Sequence, residues 1–400
     1  MNRRHDIDTL RCLAFGLVIL YHVAMAYVAD WHWHLKSPHA AEWLQWPMRA
    51  LNLWRMDLVF LVSGLAMGFL LRQGDRLGVL RQRSLRLLLP LAWGMAVIVP
   101  YQAYAQAVAN GSIAPGLGAF VLRYVSGGPW PAGAFDGSDV GVTWNHLWYL
   151  PYLWVYTALL LALAPVLVRP RGAFLALRGA RLLLLPALPL FVYSLALRPH
   201  FPPTHDLLHD AWLHAVYGTL FVYGWWIGVD AALWAEIRRL RHRALVVAGA
   251  AFLLLLVLRS DRFGGEALAS AARLCGDLYT WSAIVAILGF AYRHLNRPWR
   301  WLAWARESVY PWYVLHQTLI IVALVWLVPL RLGPVGEPLL VLLATVAGCW
   351  LLCDGWIRPS RWLRPLFGLA PLPRHASAGY RPQDPVAARM AEEPTPPRWP

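Results

Sequence analysis

Apolar segments of 16 to 23 residues recur ten times along this chain, and they constrain its fold more than any other feature of the sequence. Hydrophobic residues make up 59% of the chain and charged residues only 14%, whereas soluble domains carry about 25% charged residues. Because such segments can cross a bilayer as helices, we predict an all-α polytopic membrane protein with a bundle of about ten transmembrane helices. The predicted spans are residues 10–29, 50–71, 87–105, 146–168, 182–197, 212–233, 244–259, 274–292, 308–328 and 338–357.

The distribution of Lys and Arg predicts the orientation. Ten spans place both termini on one side of the membrane, and that side holds 27 of the 36 Lys and Arg residues, against nine on the other side. Cytoplasmic loops carry an excess of these residues, so we predict that both termini are cytoplasmic. Because the arginines lie in short clusters between spans, the net charge of +15 does not indicate a nucleic-acid partner.

The composition changes near the C-terminus. Residues 1–370 are predicted to form one transmembrane domain. From about Pro371 the chain is rich in Pro, Ala and charged residues and has too little apolar surface to form a core. We therefore predict a disordered, Pro-rich cytoplasmic tail over residues 371–400.

The first predicted span carries two ionisable side chains, Arg11 near its start and His22 well inside it. Eleven residues correspond to about three helical turns, so the two side chains project from nearly the same face, about 16 Å apart along the helix. Ionisable groups inside a membrane are costly and usually face the interior of a bundle or a water-filled cavity. We interpret this face as one wall of a functional site.

Asp57 in the second predicted span lies at about the same depth as His22, and consecutive spans usually pack together. A carboxylate beside an imidazole fixes its tautomer and stabilises its protonated form, as a general base requires. The alternative is a structural ion pair between Asp57 and Arg55. Ser63 in the same span could act as a nucleophile, but Ser-Gly in a membrane helix is more typical of close helix packing.

Three arginines are predicted near the cytoplasmic surface: Arg11, Arg83 and Arg86. Their default roles are to fix the topology and to reach lipid phosphates. Together they would also form a guanidinium cluster suited to a phosphorylated ligand that enters from the cytoplasm.

Two later segments mix apolar and polar residues. His146 and Trp148 lie at the start of the fourth predicted span, while Glu307 precedes the ninth, which contains His316. A buried His316 either satisfies a neighbouring carbonyl or lines a path together with His22. The histidines of the first external loop lack the spacing of a metal site, so we predict an aromatic-rich interface loop there and no metal. These histidines are His32, His34 and His39.

Five motifs in this order resemble integral-membrane acyltransferase family 3, and the resemblance extends over about residues 5–365. They are Arg11-x10-His22, residues 57–64 (DLVFLVSG), Arg83-Ser84-Leu85-Arg86 followed by Pro90, residues 145–150 (NHLWYL) and residues 308–317 (SVYPWYVLHQ). Residues 145–150, with Trp54-Arg55-Met56, are most similar to the branch that modifies periplasmic glucans in bacteria. The paired aromatics that the family has before Ser-Gly are reduced here to Phe60-Leu61, a change that conserves size.

The resemblance implies transfer of an acyl group, acetyl or succinyl, from acyl-coenzyme A to a hydroxyl of an extracytoplasmic carbohydrate or glucan. It also implies a bacterial inner (plasma) membrane location, with acyl-coenzyme A as a co-substrate and no permanently bound cofactor. His22 is the expected general base, oriented by Asp57. The candidate residues for binding the substrate or the donor are Arg11, Arg83, Arg86, Arg55, His146, Trp148, Glu307 and His316.

A secondary transporter or carrier is the alternative from another class, since buried His, Asp and Arg side chains also form proton relays. Such a protein is expected to contain an internal repeat with paired broken helices, and the sequence shows no convincing repeat. The residues therefore favour the enzyme.

Overall fold

The computed structural model describes residues 4–73, 75–228, 230–259 and 265–372. Apart from one isolated β-bridge between Val28 and Ala41, the regular secondary structure of these residues is entirely helical. The predicted all-α fold is therefore confirmed. Most of the predicted disordered tail, residues 373–400, lies outside the described residues.

The described residues form fourteen α-helices. In chain order they are α1 His5–Met25, α2 Gln45–Gln73, α3 Arg76–Trp93, α4 Pro100–Ala109, α5 Leu117–Val125, α6 Tyr149–Leu175, α7 Ala180–Leu184, α8 Ala187–Ala196, α9 Ala211–Ile227, α10 Ala231–Leu258, α11 Glu266–His294, α12 Leu302–Leu327, α13 Gly333–Leu352 and α14 Leu363–Leu366.

Seven of these helices are long and apolar enough to cross a membrane, namely α1, α2, α6, α10, α11, α12 and α13. Helices α3 and α4 form a pair that is bent by 41° and counts as an eighth span if it crosses as one unit. The bend coincides with a π-helical turn at Gly94–Ile98 and with Pro100, whose missing N–H cannot continue the hydrogen-bond ladder. The chain is thus a polytopic membrane protein.

The remaining two predicted spans fall on shorter helices. Residues 182–197 correspond to α7 and α8, whereas residues 212–233 cross the boundary between α9 and α10. Helix α9 ends because Gly228 adopts a φ of 39°, and α10 then begins with Asp230, whose side chain accepts a hydrogen bond from the Leu233 N–H at 2.8 Å. The helical segment predicted over residues 212–233 is therefore interrupted at Gly228. The count of ten spans and the side of the termini remain predictions.

The first helix also differs from its predicted limits. It begins five residues before position 10 and ends at Met25, so His22 lies in its last turn. The Lys36 ammonium donates a hydrogen bond at 2.9 Å to the Met25 carbonyl, one of the groups left unpaired at a helix C-terminus. The loop that follows is thus tied to the end of the helix that carries His22.

Helices α2 and α9 cross in close contact at two glycines, Gly64 and Gly224. A Cβ atom at Gly64 would lie 1.9 Å from the Phe221 carbonyl oxygen, and one at Gly224 would lie 2.0 Å from the Leu61 carbonyl oxygen. Only glycine permits such an approach of two membrane helices. Ser63, beside the first glycine, lies with its Oγ 2.5 Å from the Tyr149 hydroxyl of α6.

The loops of residues 26–44, 110–144 and 197–210 meet at one end of the bundle, which we call the His34 end. His34 contacts Gln106 near the end of α4, and the Trp144 indole donates a hydrogen bond to the His205 carbonyl. The opposite end carries the start of α1 and the first half of α3, and we call it the Arg83 end.

Candidate active site

His22 and His316 form a hydrogen-bonded pair between α1 and α12. The Nδ1 atom of His22 lies 2.8 Å from the Nε2 atom of His316, and the two rings are nearly parallel, with an interplanar angle of 11°. His316 is fully buried, whereas His22 is partly exposed. The two histidines are separated by 294 positions in the sequence, so only the packing of the first helix against the twelfth brings them together.

The hydrogen bonds assign the tautomers of both neutral rings. The Nδ1 atom of His316 lies 2.8 Å from the Tyr313 carbonyl oxygen, and a carbonyl can only accept, so this nitrogen carries the proton. The Nε2 atom of His316 is then an acceptor, and Nδ1 of His22 must donate to it. This leaves an unprotonated Nε2 on His22, which is the atom that a general base needs.

Aromatic side chains fix the position of this pair. Phe15, two helical turns before His22, packs edge-on against the His316 ring at 5.7 Å between centroids. The ring of His146 lies perpendicular to His316 at 5.1 Å, and its Nε2 donates to the Tyr313 carbonyl at 3.1 Å. The Tyr313 hydroxyl in turn donates to the His146 carbonyl at 2.8 Å. These reciprocal contacts link α12 to the turn before α6.

A chain of amide and imidazole groups connects this region to the His34 end. The Gln102 amide contacts Nδ1 of His146 at 3.2 Å and accepts from Gln317 at 3.0 Å. Gln317 also donates to Nε2 of His34 at 3.0 Å, and Nδ1 of His34 donates to Gln106 at 2.8 Å. These five residues, which we call the glutamine network, extend the site to the loop of residues 26–44.

The glutamine network was not predicted from the sequence. Gln102 and Gln106 are spaced four residues apart in an apolar helix, and Gln317 directly follows His316. These glutamines therefore stand out in the sequence as polar residues within apolar segments. His34, by contrast, lies in a loop and is nevertheless buried. Burial lowers the pKa of His34 below its usual range, so its ring is neutral at pH 7 and can accept the Gln317 hydrogen bond.

Asp57 forms no hydrogen bond with His22 among the described residues, and the partner of Nδ1 of His22 is His316. The Asp57 carboxyl group is buried, and its Oδ1 atom lacks a hydrogen-bond partner among the described residues. The side chain that reaches α1 from this part of α2 is Arg55, whose guanidinium lies 3.7 Å from the centre of the Tyr21 ring. Side chains two residues apart on a helix point in nearly opposite directions, which explains why Arg55 reaches α1 and Asp57 does not.

At the Arg83 end, the structure brings the three arginines of the predicted guanidinium cluster near one another. Arg83 is half-buried and lies within electrostatic range of Arg11 and Arg86. One nitrogen of Arg83 contacts only the Met67 sulfur, at 3.5 Å, and its Nε has no hydrogen-bond partner within the described ranges. The structure shows no carboxylate paired with any of these three arginines among the residues that it describes.

Glu307, predicted to bind the substrate or the donor, is already paired. Its two oxygens accept hydrogen bonds from Arg358 at 2.8 Å and Arg364 at 2.7 Å. Arg358 also bonds Asp354 at 2.9 Å, so the carboxylate belongs to an ion-pair cluster that fastens the segment after α13 to the start of α12. This geometry favours a structural role.

Trp148 lies in an aromatic group near the His34 end. Its ring packs against His205 at 4.2 Å between centroids and against Tyr217 at 5.9 Å. His205 has a φ of 57°, an uncommon conformation for a residue with a side chain, and the Trp144 indole bonds its carbonyl. Trp148 therefore lies beside a constrained loop on the same side of the bundle as His22.

A family model described as an acyltransferase domain matches residues 4–354 of the chain. The match includes both histidines of the pair, the glutamine network and the three arginines at the opposite end. The comparison with curated proteins finds no match, and neither does the comparison with solved structures.

Proposed function

Because the chain belongs to acyltransferase family 3, we propose that it moves an acyl group, acetyl or succinyl, from acyl-coenzyme A to a hydroxyl of an extracytoplasmic carbohydrate or glucan. The observation that supports this reaction most directly is the His22–His316 pair. Its hydrogen bonds leave an unprotonated nitrogen on a partly exposed ring inside the helix bundle.

In the proposed reaction, the acceptor hydroxyl gives its proton to Nε2 of His22 while its oxygen forms a bond to the thioester carbon. The carbon–sulfur bond then breaks, and the departing thiolate takes the proton from His22. The products are an ester and a free thiol, and the ring of His22 is neutral again. His316 acts on His22 as a positioning residue. General base catalysis of this kind contributes about 10²- to 10⁴-fold to the rate.

The donor is proposed to enter from the Arg83 end. Arg11, Arg83 and Arg86 would bind its phosphate groups, for which planar guanidinium groups are well suited. Arg11 and His22 lie on one face of α1 and 11 residues apart, which corresponds to about 16 Å along the helix. A donor anchored by phosphates at one end of this face can extend its thioester toward the other end.

The acceptor is proposed to approach from the His34 end, which the excess of Lys and Arg elsewhere predicts to be extracytoplasmic. Trp148 and His146 would border its path, since aromatic rings stack on sugar faces. A site enclosed by helices also restricts water and so limits hydrolysis of the thioester. By this proposal the protein resides in a bacterial inner membrane.

The test uses purified protein, labelled acetyl- or succinyl-coenzyme A and a glucan extract. We expect the wild type to release thiol and label the glucan, and His22→Ala to lose at least about 10²-fold in kcat. His200→Ala, at an exposed loop histidine, is the matched control and should retain activity. Equal activity of the wild type and His22→Ala would contradict the role of His22. Movement of a substrate across sealed vesicles without acylation would favour a transporter.

A further inference from the structure

Arg55 is a buried cation without a carboxylate partner among the described residues. Only 7% of its surface is exposed. The guanidinium packs on the Tyr21 ring, and the Asn52 side-chain oxygen accepts a long hydrogen bond from it at 3.4 Å. The Asp57 carboxyl group lies within electrostatic range but forms no ion pair with it. The Nε atom of Arg55 has no hydrogen-bond partner in the part of the chain that the structure describes. The guanidinium therefore retains at least one unused donor.

The nearest carboxylate in sequence does not neutralise this charge. Asp57 forms no ion pair with Arg55, and its own Oδ1 lacks a hydrogen-bond partner in the described ranges. Burying a charge without a pairing partner is costly, and a cation–π contact offsets only part of this cost. A charge that is retained at such a cost inside a membrane protein indicates a functional requirement.

Arg55 lies beside the segment of α1 that carries His22, which connects this functional requirement to the His22–His316 pair. Its guanidinium packs on Tyr21, the residue that directly precedes His22 on α1, and it lies within electrostatic range of both His22 and His316. The side-chain amides of Gln102 and Gln317 are already used as donors, since Gln102 bonds Thr318 and Gln317 bonds Gln102 and His34. The Asn145 amide nitrogen lacks a hydrogen-bond partner among the described residues, but it carries no charge. Arg55 thus provides an unused, charged donor within electrostatic range of His22.

We propose that Arg55 is a catalytic residue that stabilises the negative charge on the thioester carbonyl oxygen during acyl transfer. This inference rests on the proposed function. When the acceptor oxygen bonds to the carbonyl carbon, the electron pair of the double bond moves to the carbonyl oxygen while His22 takes the proton. A fixed guanidinium in a medium of low polarity stabilises that oxyanion, and the charge returns to the carbonyl when the carbon–sulfur bond breaks.

The experiment measures kcat and KM for acetyl- and succinyl-coenzyme A with wild type, Arg55→Gln and Arg55→Lys. We expect Arg55→Gln to lower kcat by about 10²- to 10³-fold, by the same factor for both donors and with little change in KM. Arg55→Lys should keep part of the activity because it retains the charge. Arg49→Gln, on the same helix and already bonded to Gln45, is the matched control and should leave kcat unchanged.

Three results would overturn the inference. An unchanged kcat in Arg55→Gln would exclude a catalytic role, and a rise in KM confined to the succinyl donor would show that Arg55 binds the distal carboxylate instead. A loss of activity in proportion to the loss of folded protein would show a structural role, and the thermal unfolding midpoints of Arg55→Gln and Arg55→Lys measure this. A wild type inactive with both donors would instead contradict the proposed function itself.

Discussion

The two ends of α1 differ in how their ionisable side chains are satisfied. Toward the end of the helix, His22 is bonded to His316, which is bonded to a backbone carbonyl, and the glutamine network extends these contacts to the buried His34. Toward the start of the helix, Arg11 and its neighbours Arg83 and Arg86 share one region, and none of the three forms an ion pair with a carboxylate among the described residues.

This difference separates two kinds of requirement. A proton-transfer group must be held in one orientation and one tautomer, which demands that its neighbours be bonded before the substrate arrives. A group that binds a charged ligand must remain free, because its partner is the ligand itself. One helix that carries an arginine without an ion pair at its start and a hydrogen-bonded histidine near its end is therefore consistent with a donor bound at one end and chemistry at the other.

The largest effect is expected when His22 loses the hydrogen bond that orients its ring. His316→Leu removes the acceptor for Nδ1 of His22 and should lower kcat by about 10²- to 10³-fold, since a base in the wrong tautomer cannot take the acceptor proton. His316→Gln keeps an oxygen that can accept this hydrogen bond and should lose less. Steady-state kinetics of both variants test this. Equal losses would indicate that His316 serves packing and not orientation.

The sequence allowed the face of the first helix to be predicted because helical periodicity is a local property. Arg11 and His22 share a face whatever the rest of the chain does, and long apolar segments predict helices whether or not each one spans the membrane. The all-α fold followed from these regularities. The break at Gly228 was missed, since one glycine with positive φ interrupts an apolar run without altering its composition.

The partner of His22 could not be predicted in the same way. Asp57 was favoured because its span follows that of His22 in the chain, whereas the structure pairs His22 with a residue of the twelfth helix. Which helices pack together is decided by side-chain fit over the entire bundle, as at the close contact of Gly64 and Gly224. The role of a single polar residue such as His316 can therefore be assigned only when its neighbour on the other helix is known.

A smaller effect, on binding of the donor, is expected for a substitution at the Arg83 end. Arg83→Gln removes a half-buried guanidinium and should raise the KM for acyl-coenzyme A about 10- to 100-fold, the range expected for losing a charged hydrogen bond of about 1.5–3 kcal/mol, with little change in kcat. Arg81→Gln is the matched control because Arg81 is exposed on the same helix. The KM is measured at low and high salt, since binding through phosphates should weaken as salt rises. If kcat falls while KM stays constant, Arg83 does not bind the donor.

The smallest effect is expected for a substitution in the ion-pair cluster of Glu307, which lies at the Arg83 end. Glu307→Gln replaces a carboxylate that accepts hydrogen bonds from Arg358 and Arg364, and we expect a loss of about 2 kcal/mol in stability with an unchanged KM for the donor. The measurement is the thermal unfolding midpoint of the detergent-purified variant beside the KM for acyl-coenzyme A. Since Glu307 was predicted from the sequence to bind the substrate or the donor, a raised KM at unchanged stability would restore that prediction. It would also show that pairing within the protein does not distinguish a structural charge from a ligand-binding one at this end of the bundle.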